Sequence, residues 1–215
     1  MNRQLANFPL RALLALAFVL GAAVPGAGAS PNGDALLKRM ADANPSLQSY
    51  TAAMHVVIVL HSLPYLSPAL DANYYYKRPD KQAVVFQSVP LLAEQFQKVY
   101  PKIDPPATWP RRYDISVLDE SSISTTLRLV PKRQGRVQHL DVVVDNSNAM
   151  PTAFTWAYVD GGSVMFQQQY TVIDGSYVVK SQTGKVELPS YAADVTSTFS
   201  DFKLNVDIPD SVFAG

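Results

Sequence analysis

Apolar residues early in the chain recur with the period of a helix. Residues 35–43 (ALLKRMADA) place two leucines and Met40 on one stripe, with the charged residues off it. Asp34 stands where an N-cap residue is expected, and Pro45 cannot continue a helix. The pattern therefore predicts a short amphipathic helix that buries one face.

The period then changes to the alternation of a β-strand. Residues 50–60 (YTAAMHVVIVL) are apolar on both faces, and one face includes Met54, Val56 and Ile58. A strand that is apolar on both faces is covered on both sides. Residues 62–71 contain two prolines and three leucines, so they predict an apolar loop.

A hairpin and a second helix follow. Residues 72–86 alternate on either side of Arg-Pro-Asp at 78–80, which predicts strand, turn and strand, with Tyr74 and Tyr76 on one face. Residues 90–100 (PLLAEQFQKVY) have apolar positions at helical spacing after a proline that suits a first turn. These residues predict a second short helix.

The remainder of the chain is dominated by strand patterns and tight turns. Residues 101–112 hold four prolines and predict irregular structure. The predicted strands are residues 113–119, 124–130, 137–145, 152–159, 163–173, 176–182 and 193–205. The predicted turns are Asp160-Gly161-Gly162, Asp174-Gly175 and Thr183-Gly184. Short turns make neighbouring strands antiparallel. In total, the pattern predicts about ten strands and two helices.

A sheet of this size predicts a curved fold. About ten long, twisted strands tend to curl, and two short helices can lie as a lid over the concave face. A cavity remains beneath them if side chains do not fill the space. Phe154, Trp156 and Tyr158 alternate on one strand, and Phe166 lies on the next. Both a cavity wall and an ordinary packed core would use such aromatic residues.

The first 29 residues have the organisation of a secretory signal peptide. Two arginines supply positive charge, residues 12–24 are apolar, and residues 27–29 (Ala-Gly-Ala) form a small-x-small cleavage site. We expect export to the bacterial periplasm and cleavage after Ala29, which leaves residues 30–215 as a single domain. An uncleaved membrane anchor is the alternative interpretation of this segment.

Composition excludes several classes of function. The chain has 18 basic and 18 acidic residues, so it lacks the basic excess of a nucleic-acid binder. It has no cysteine, which excludes disulfides, thiol catalysis and thiolate metal sites. No cysteine follows the signal to receive a lipid, so we expect a soluble mature protein.

The sequence also lacks the usual patterns of catalysis. It contains no nucleophile elbow, zinc-protease motif, phosphate-binding loop or dinucleotide fingerprint. His55 and His61 would lie about 20 Å apart along a strand. His139 and Asp141 share a face, but a lone pair of this kind is usually a surface hydrogen bond. We therefore predict no catalytic residue, no metal and no cofactor.

Short motifs resemble one known family. Residues 47–51 (LQSYT) lead into a long strand, residues 77–80 (KRPD) join two strands after an aromatic run, and the chain ends with Ile-Pro-Asp at 208–210 and then Phe213. This order resembles the periplasmic lipoprotein carriers of the Lol system. Their wider superfamily includes lipoprotein-binding regulators of envelope stress and mycobacterial lipid-binding lipoproteins.

The resemblance implies a fold and a way of working. The fold would be α+β but mostly β, a half-open antiparallel barrel of about ten strands with short helices as a lid over an apolar cavity for acyl chains. In the carriers, the arginine of the Lys-Arg-Pro turn bonds to lid backbone and holds the lid closed. That role maps to Arg78, and a lid leucine that faces it maps to Met40.

We therefore expect a non-enzymatic periplasmic carrier of lipids or lipoprotein acyl chains, with an inner-membrane transporter or an outer-membrane acceptor as further partners. We expect a monomer that binds no nucleic acid. A regulatory module that binds lipidated proteins, an enzyme acting on envelope lipids and a ligand-free structural domain are the alternatives. The expected ligand-binding residues are Met40, Met54, Val56, Ile58, Tyr74, Tyr76, Arg78, Phe96, Phe154, Trp156, Tyr158 and Phe166.

Overall fold

A computed structural model describes residues 31–61, 67–87 and 103–214 of the chain. Most of these residues lie in β-strands. The strands are β1 (Ser49–Leu60), β2 (Ala69–Lys77), β3 (Lys81–Phe86), β4 (Tyr113–Glu120), β5 (Ser124–Pro131), β6 (Val137–Asp145), β7 (Pro151–Tyr158), β8 (Ser163–Ile173), β9 (Ser176–Leu188) and β10 (Tyr191–Leu204).

The ten strands form one antiparallel sheet. Their order is β3-β2-β1-β10-β9-β8-β7-β6-β5-β4, so two meanders meet where β1 pairs with β10. The edge strands β3 and β4 do not pair with each other, and the barrel therefore stays half open. The predicted fold class, mostly β with a single open sheet of about ten strands and short helices, is confirmed.

The first helix, α1 (Pro31–Ala41), buries Leu36, Leu37 and Met40 in the core. It begins earlier than the sequence predicted, so Asp34 lies within its first turn and is not the N-cap. The predicted helix at 90–100, including Phe96, lies outside the described residues. None of the described helices is long and apolar enough to cross a membrane.

The proline-rich stretch is more regular than the sequence predicted. Residues Pro106–Thr108 form a 3₁₀ helix, and Trp109–Arg112 form a short helix, α2. Proline suits the first turn of a helix, where its missing N–H costs nothing. The indole Nε1 of Trp109 donates to the carbonyl of Asp104 at 2.7 Å, and the ring is almost wholly buried. The buried indole anchors this segment across the concave face.

Two other predicted boundaries are wrong. The loop predicted at 62–71 ends sooner, because β2 starts at Ala69. The turn predicted at Gly184 does not exist, because β9 continues through it to Leu188. Gly184 pairs with Phe166, and a Cβ there would lie 2.6 Å from the ring of Phe166. This glycine makes room for an aromatic ring, whereas the sequence suggested a reversal of the chain.

The hydrophobic core fills one part of the concave side. Alternate residues of β5, β6 and β7 point inward and are fully or almost fully buried, and each such large apolar side chain contributes about 1.5–3 kcal/mol when removed from water. These residues include Leu127, Leu129, Val142, Val144 and Phe154. At the other end of the sheet, where β1 and β9 begin, a second and smaller cluster buries Leu47, Tyr50 and Val178.

Candidate functional site

A cavity of about 650 Å³ lies on the concave side of the sheet. Its walls come from the end of α1 and the residues after it, the β2–β3 hairpin, residues 103–109, and the inner faces of β7, β8 and β9. The volume is within the range of about 300–1,000 Å³ that is usual for ligand pockets. The concave side is thus part packed and part hollow.

Five of the residues predicted to bind ligand line this cavity. Met40 comes from α1, Tyr74 and Tyr76 from β2, Arg78 from the β2–β3 turn, and Phe154 from β7. They come from distant parts of the sequence and meet because β2 and β7 both face the concave side.

The other predicted residues that the structure describes lie elsewhere. Met54, Val56 and Ile58 are buried in the packed core along β1, and so are Trp156 and Phe166. None of these five is a lining residue of the cavity. The cavity faces the end of the sheet where β1 begins. These five side chains lie nearer the other end of the sheet, and they therefore do not line the cavity.

Tyr158 is also away from the cavity. It is half-buried near the end of β7, where the guanidinium of Arg136 lies 5.7 Å from the centre of its ring. This geometry is a cation–π contact at the surface of the protein.

Aromatic rings from β1 and β2 form one wall. The ring of Tyr50 lies 5.4 Å from that of Tyr74 and 5.5 Å from that of Tyr76, and Phe199 meets Tyr74 edge-on at 5.7 Å. Burial raises the pKa of the Tyr74 hydroxyl to about 12 and raises the pKa of Tyr50 as well. Both phenols are therefore neutral at physiological pH, and this wall is uncharged.

A small polar network of β8 and β9 residues also lines the cavity. The hydroxyl of Tyr170 donates to the carbonyl of Pro151 at 2.8 Å, and Gln168 Nε2 donates to the same carbonyl at 2.9 Å. Gln182 Nε2 donates to Gln168 Oε1 at 2.9 Å. Burial raises the pKa of Tyr170. These polar groups form hydrogen bonds within the protein. The wall they form is therefore less polar toward a ligand than its residue types suggest.

Several lining residues were missed by the sequence analysis. Tyr50, Tyr170 and Gln168 showed only the inward alternation shared with the solid core, and Val212 and Phe213 lie beyond the last strand. Alternation identifies the concave face but does not distinguish its hollow part. The order Ile-Pro-Asp before Phe213 was the available signal for the C-terminal residues.

The segment that follows α1 is held on both sides of the cavity. Arg78 Nη2 donates to the carbonyl of Asn44, and the backbone N–H of Arg78 donates to the carbonyl of Gln48 at 2.8 Å. The side chain of Asn44 accepts from the N–H of Tyr177 at 2.8 Å and donates to its carbonyl at 2.9 Å. Asn44 thus links the end of α1 to β9 through its side chain and to the β2–β3 turn through its backbone.

The C-terminal segment packs on the same turn. Asp210 accepts from Lys77 at 3.0 Å and from Lys81 at 2.8 Å, and Lys77 also donates to the carbonyl of Ile208 at 2.9 Å. The contacts with Lys81 and Lys77 lower the pKa of Asp210 to about 2. They hold the 3₁₀ helix Asp210–Phe213 where Phe213 lines the cavity.

The histidines lie outside the cavity. His55 contacts Asp71 at 2.7 Å, and His61 contacts Asp194 at 2.9 Å. His139 lies 3.7 Å from Asp141, whose carboxylate accepts two hydrogen bonds from Arg128. Over the described residues, no three His, Asp or Glu side chains gather as metal ligands would.

Comparisons with known proteins agree on the fold. No protein-family model and no curated protein sequence matches the chain. A LolA superfamily protein from Nitrosomonas europaea matches in structure with a TM-score of 0.56 at 15% identity, over 85% of this chain and 97% of that one. The chain has the LolA fold.

Two further structures are similar. A structure from Vibrio parahaemolyticus, described as a putative outer membrane lipoprotein-sorting protein domain, has a TM-score of 0.60 at 9% identity, over 84% of this chain and 95% of that one. A DUF1329 family protein from Desulfovibrio piger has a TM-score of 0.65 at 13% identity, over 85% and 95%. These similarities show the shared LolA fold, and the ligand must be argued from the cavity itself.

Proposed function

We propose that the protein is a non-enzymatic periplasmic carrier that binds the acyl chain of a lipid or lipoprotein inside the cavity. The hollow of about 650 Å³, whose aromatic-rich walls include only two charged residues among those described, carries this proposal. Burying an acyl chain of about 16 carbons contributes on the order of 10 kcal/mol. In this proposal residues 1–29 are a signal peptide and residues 30–215 act as one domain.

The described part of the cavity wall has little charge to oppose an apolar ligand. Arg78 and Asp104 are the charged residues that line it among the described residues. Arg78 is bonded to the Asn44 carbonyl, and Asp104 is paired with Arg112. Both charges therefore have partners, and an acyl chain need not leave a charge without a partner.

The LolA fold supports the same function. Two of the similar structures are described as a LolA superfamily protein and a putative outer membrane lipoprotein-sorting protein domain. A ligand-free structural domain would need a filled concave face, and the cavity argues against it. An inner-membrane transporter that loads the carrier and an outer-membrane acceptor that unloads it would complete the trafficking of envelope lipids or lipoproteins.

Release requires that binding not be too tight. A closed lid that must open before ligand enters lowers the net affinity by the free energy of opening. In our proposal the bond from Arg78 to Asn44 supplies part of that free energy. Arginine suits this role because its planar group of donors is matched to carbonyl acceptors.

Replacement of Arg78 tests the carrier and its latch together. We expect Arg78→Leu to favour the open lid, so that a fluorescent fatty acid binds about 10-fold tighter and associates faster, since a charge-assisted hydrogen bond contributes about 1.5–3 kcal/mol. Arg78→Lys retains the charge but not the planar donors. Its affinity for the probe should therefore fall between those of wild type and Arg78→Leu. Stopped-flow mixing measures the association rate, and displacement measures the release rate.

Lys180→Leu is the matched control, because Lys180 is exposed on β9 and does not line the cavity. It should bind the probe with the wild-type affinity and association rate. Unchanged binding and release in Arg78→Leu would remove the latch from the proposal. Failure of the wild-type protein to bind the probe at all would contradict the carrier function.

A further inference from the structure

Five basic residues gather at one end of the sheet. Arg111 and Arg112 end α2, and the β5–β6 turn adds Lys132, Arg133 and Arg136. Five of the chain's 18 lysines and arginines thus lie together on a chain without formal net charge. We name these five residues the basic platform.

The pairing of β4 with β5 builds the platform. Tyr113 lies opposite Pro131, which brings the end of α2 beside the start of the β5–β6 turn. The N–H of Lys132 donates to the carbonyl of Arg112 at 2.9 Å, and Lys132 Nζ donates to the carbonyl of Pro110 at 2.8 Å. One backbone hydrogen bond and one side-chain hydrogen bond to a backbone carbonyl therefore hold the two basic segments together.

Nearby carboxylates offset only part of the platform charge. Arg112 pairs with Asp104, Arg136 lies 3.5 Å from Asp160, and Lys132 lies 3.9 Å from Asp114. Among the described residues, no carboxylate lies within 4.0 Å of Arg111 or Arg133. Both side chains are exposed, so the platform keeps a local excess of positive charge.

Exposed valines accompany these cations. Val159 in the β7–β8 turn is 68% exposed, and its N–H donates to the carbonyl of Arg136 at 3.0 Å. Val130 is 43% exposed near the end of β5, two residues before Lys132. Exposed aliphatic side chains beside cations are typical of protein surfaces that bind at the interface of an anionic membrane.

We propose that the basic platform docks the protein on a membrane surface that contains anionic phospholipids. The cations contact lipid phosphates, and Val159 enters the headgroup region. Arg111 follows two residues after Trp109, which lines the cavity. This inference concerns the outer surface and does not depend on what the cavity binds.

Flotation with lipid vesicles tests the docking. The secreted protein should bind vesicles with about one third phosphatidylglycerol much more than vesicles of phosphatidylcholine alone, and high salt should release it. The double variant Arg111→Gln/Arg133→Gln should lose roughly 25-fold in partitioning, about five-fold for each cation near the surface. Val159→Ser should reduce partitioning without changing the salt dependence.

The matched control is Lys180→Gln/Lys185→Gln, which removes two exposed cations from β9. Its partitioning onto the phosphatidylglycerol-containing vesicles should stay within two-fold of wild type. Equal binding to both vesicle types, or equal losses in the two double variants, would overturn the proposal. Binding of an acidic protein in place of vesicles would also overturn it. The platform variant should still bind a fluorescent fatty acid, so failure of docking is distinguishable from failure of the carrier function.

Discussion

At the residue scale, Asp210 shows how one exposed carboxylate can position part of the cavity. Its two lysine contacts join the end of the chain to the β2–β3 hairpin, and Phe213 follows three residues later as a lining side chain. Lys77 and Lys81 lie on opposite strands of this hairpin and face each other in register. Asp210 therefore also relieves the repulsion between two like charges.

The lowered pKa of Asp210 predicts a pH dependence. Its folded-state pKa of about 2 lies below the ordinary aspartate pKa of about 3.9, so its stabilising effect is present above pH 4 and is lost as pH falls through 2. Wild type should therefore be more stable than Asp210→Asn at pH 5, and the two thermal midpoints should converge toward pH 2. Asp207→Asn is the control, and a constant difference between wild type and Asp210→Asn would contradict the account.

At the scale of elements, alternation located the strands well. The observed bounds of β6 and β8 equal the predicted ones, because β6 and the first part of β8 alternate between a buried and a more exposed face. Gly184 was misread because glycine serves both turns and close approach between neighbours, and only the position of Phe166 distinguishes the two. The short helix at Trp109 was missed because its prolines resemble loop residues.

Substitution of Gly184 tests the role assigned to it. Gly184→Ala should push against the ring of Phe166 and lower the free energy of unfolding by about 1–3 kcal/mol in urea titrations. Gly135→Ala is the matched control, since nothing lies within 4 Å of a Cβ at Gly135. Phe166→Leu should recover part of the loss in the Gly184→Ala background. An unchanged stability of Gly184→Ala would show that the close approach does not constrain β9.

At the scale of the whole molecule, the sequence predicted a curved sheet under helices but not the extent of the hollow. Tyr50 and Met54 lie on the same inward face of β1, yet Tyr50 lines the cavity and Met54 lies in solid core. Whether a position on β1 lines the cavity or lies in the core depends on which side chains of β2, β9, β10 and the proline-rich segment pack against it. Such long-range packing is not encoded in the period of any one strand.

Lipid content of the purified protein tests the central claim most directly. Native mass spectrometry of protein from a bacterial periplasm should show one bound acyl-chain lipid, which extraction would identify. Val179→Trp places a large ring in the cavity and should reduce the bound fraction, whereas Val172→Trp, at a position 57% exposed on β8, should not. A wild-type protein that emerges without lipid, or a Val179→Trp variant as fully loaded as Val172→Trp, would contradict the account.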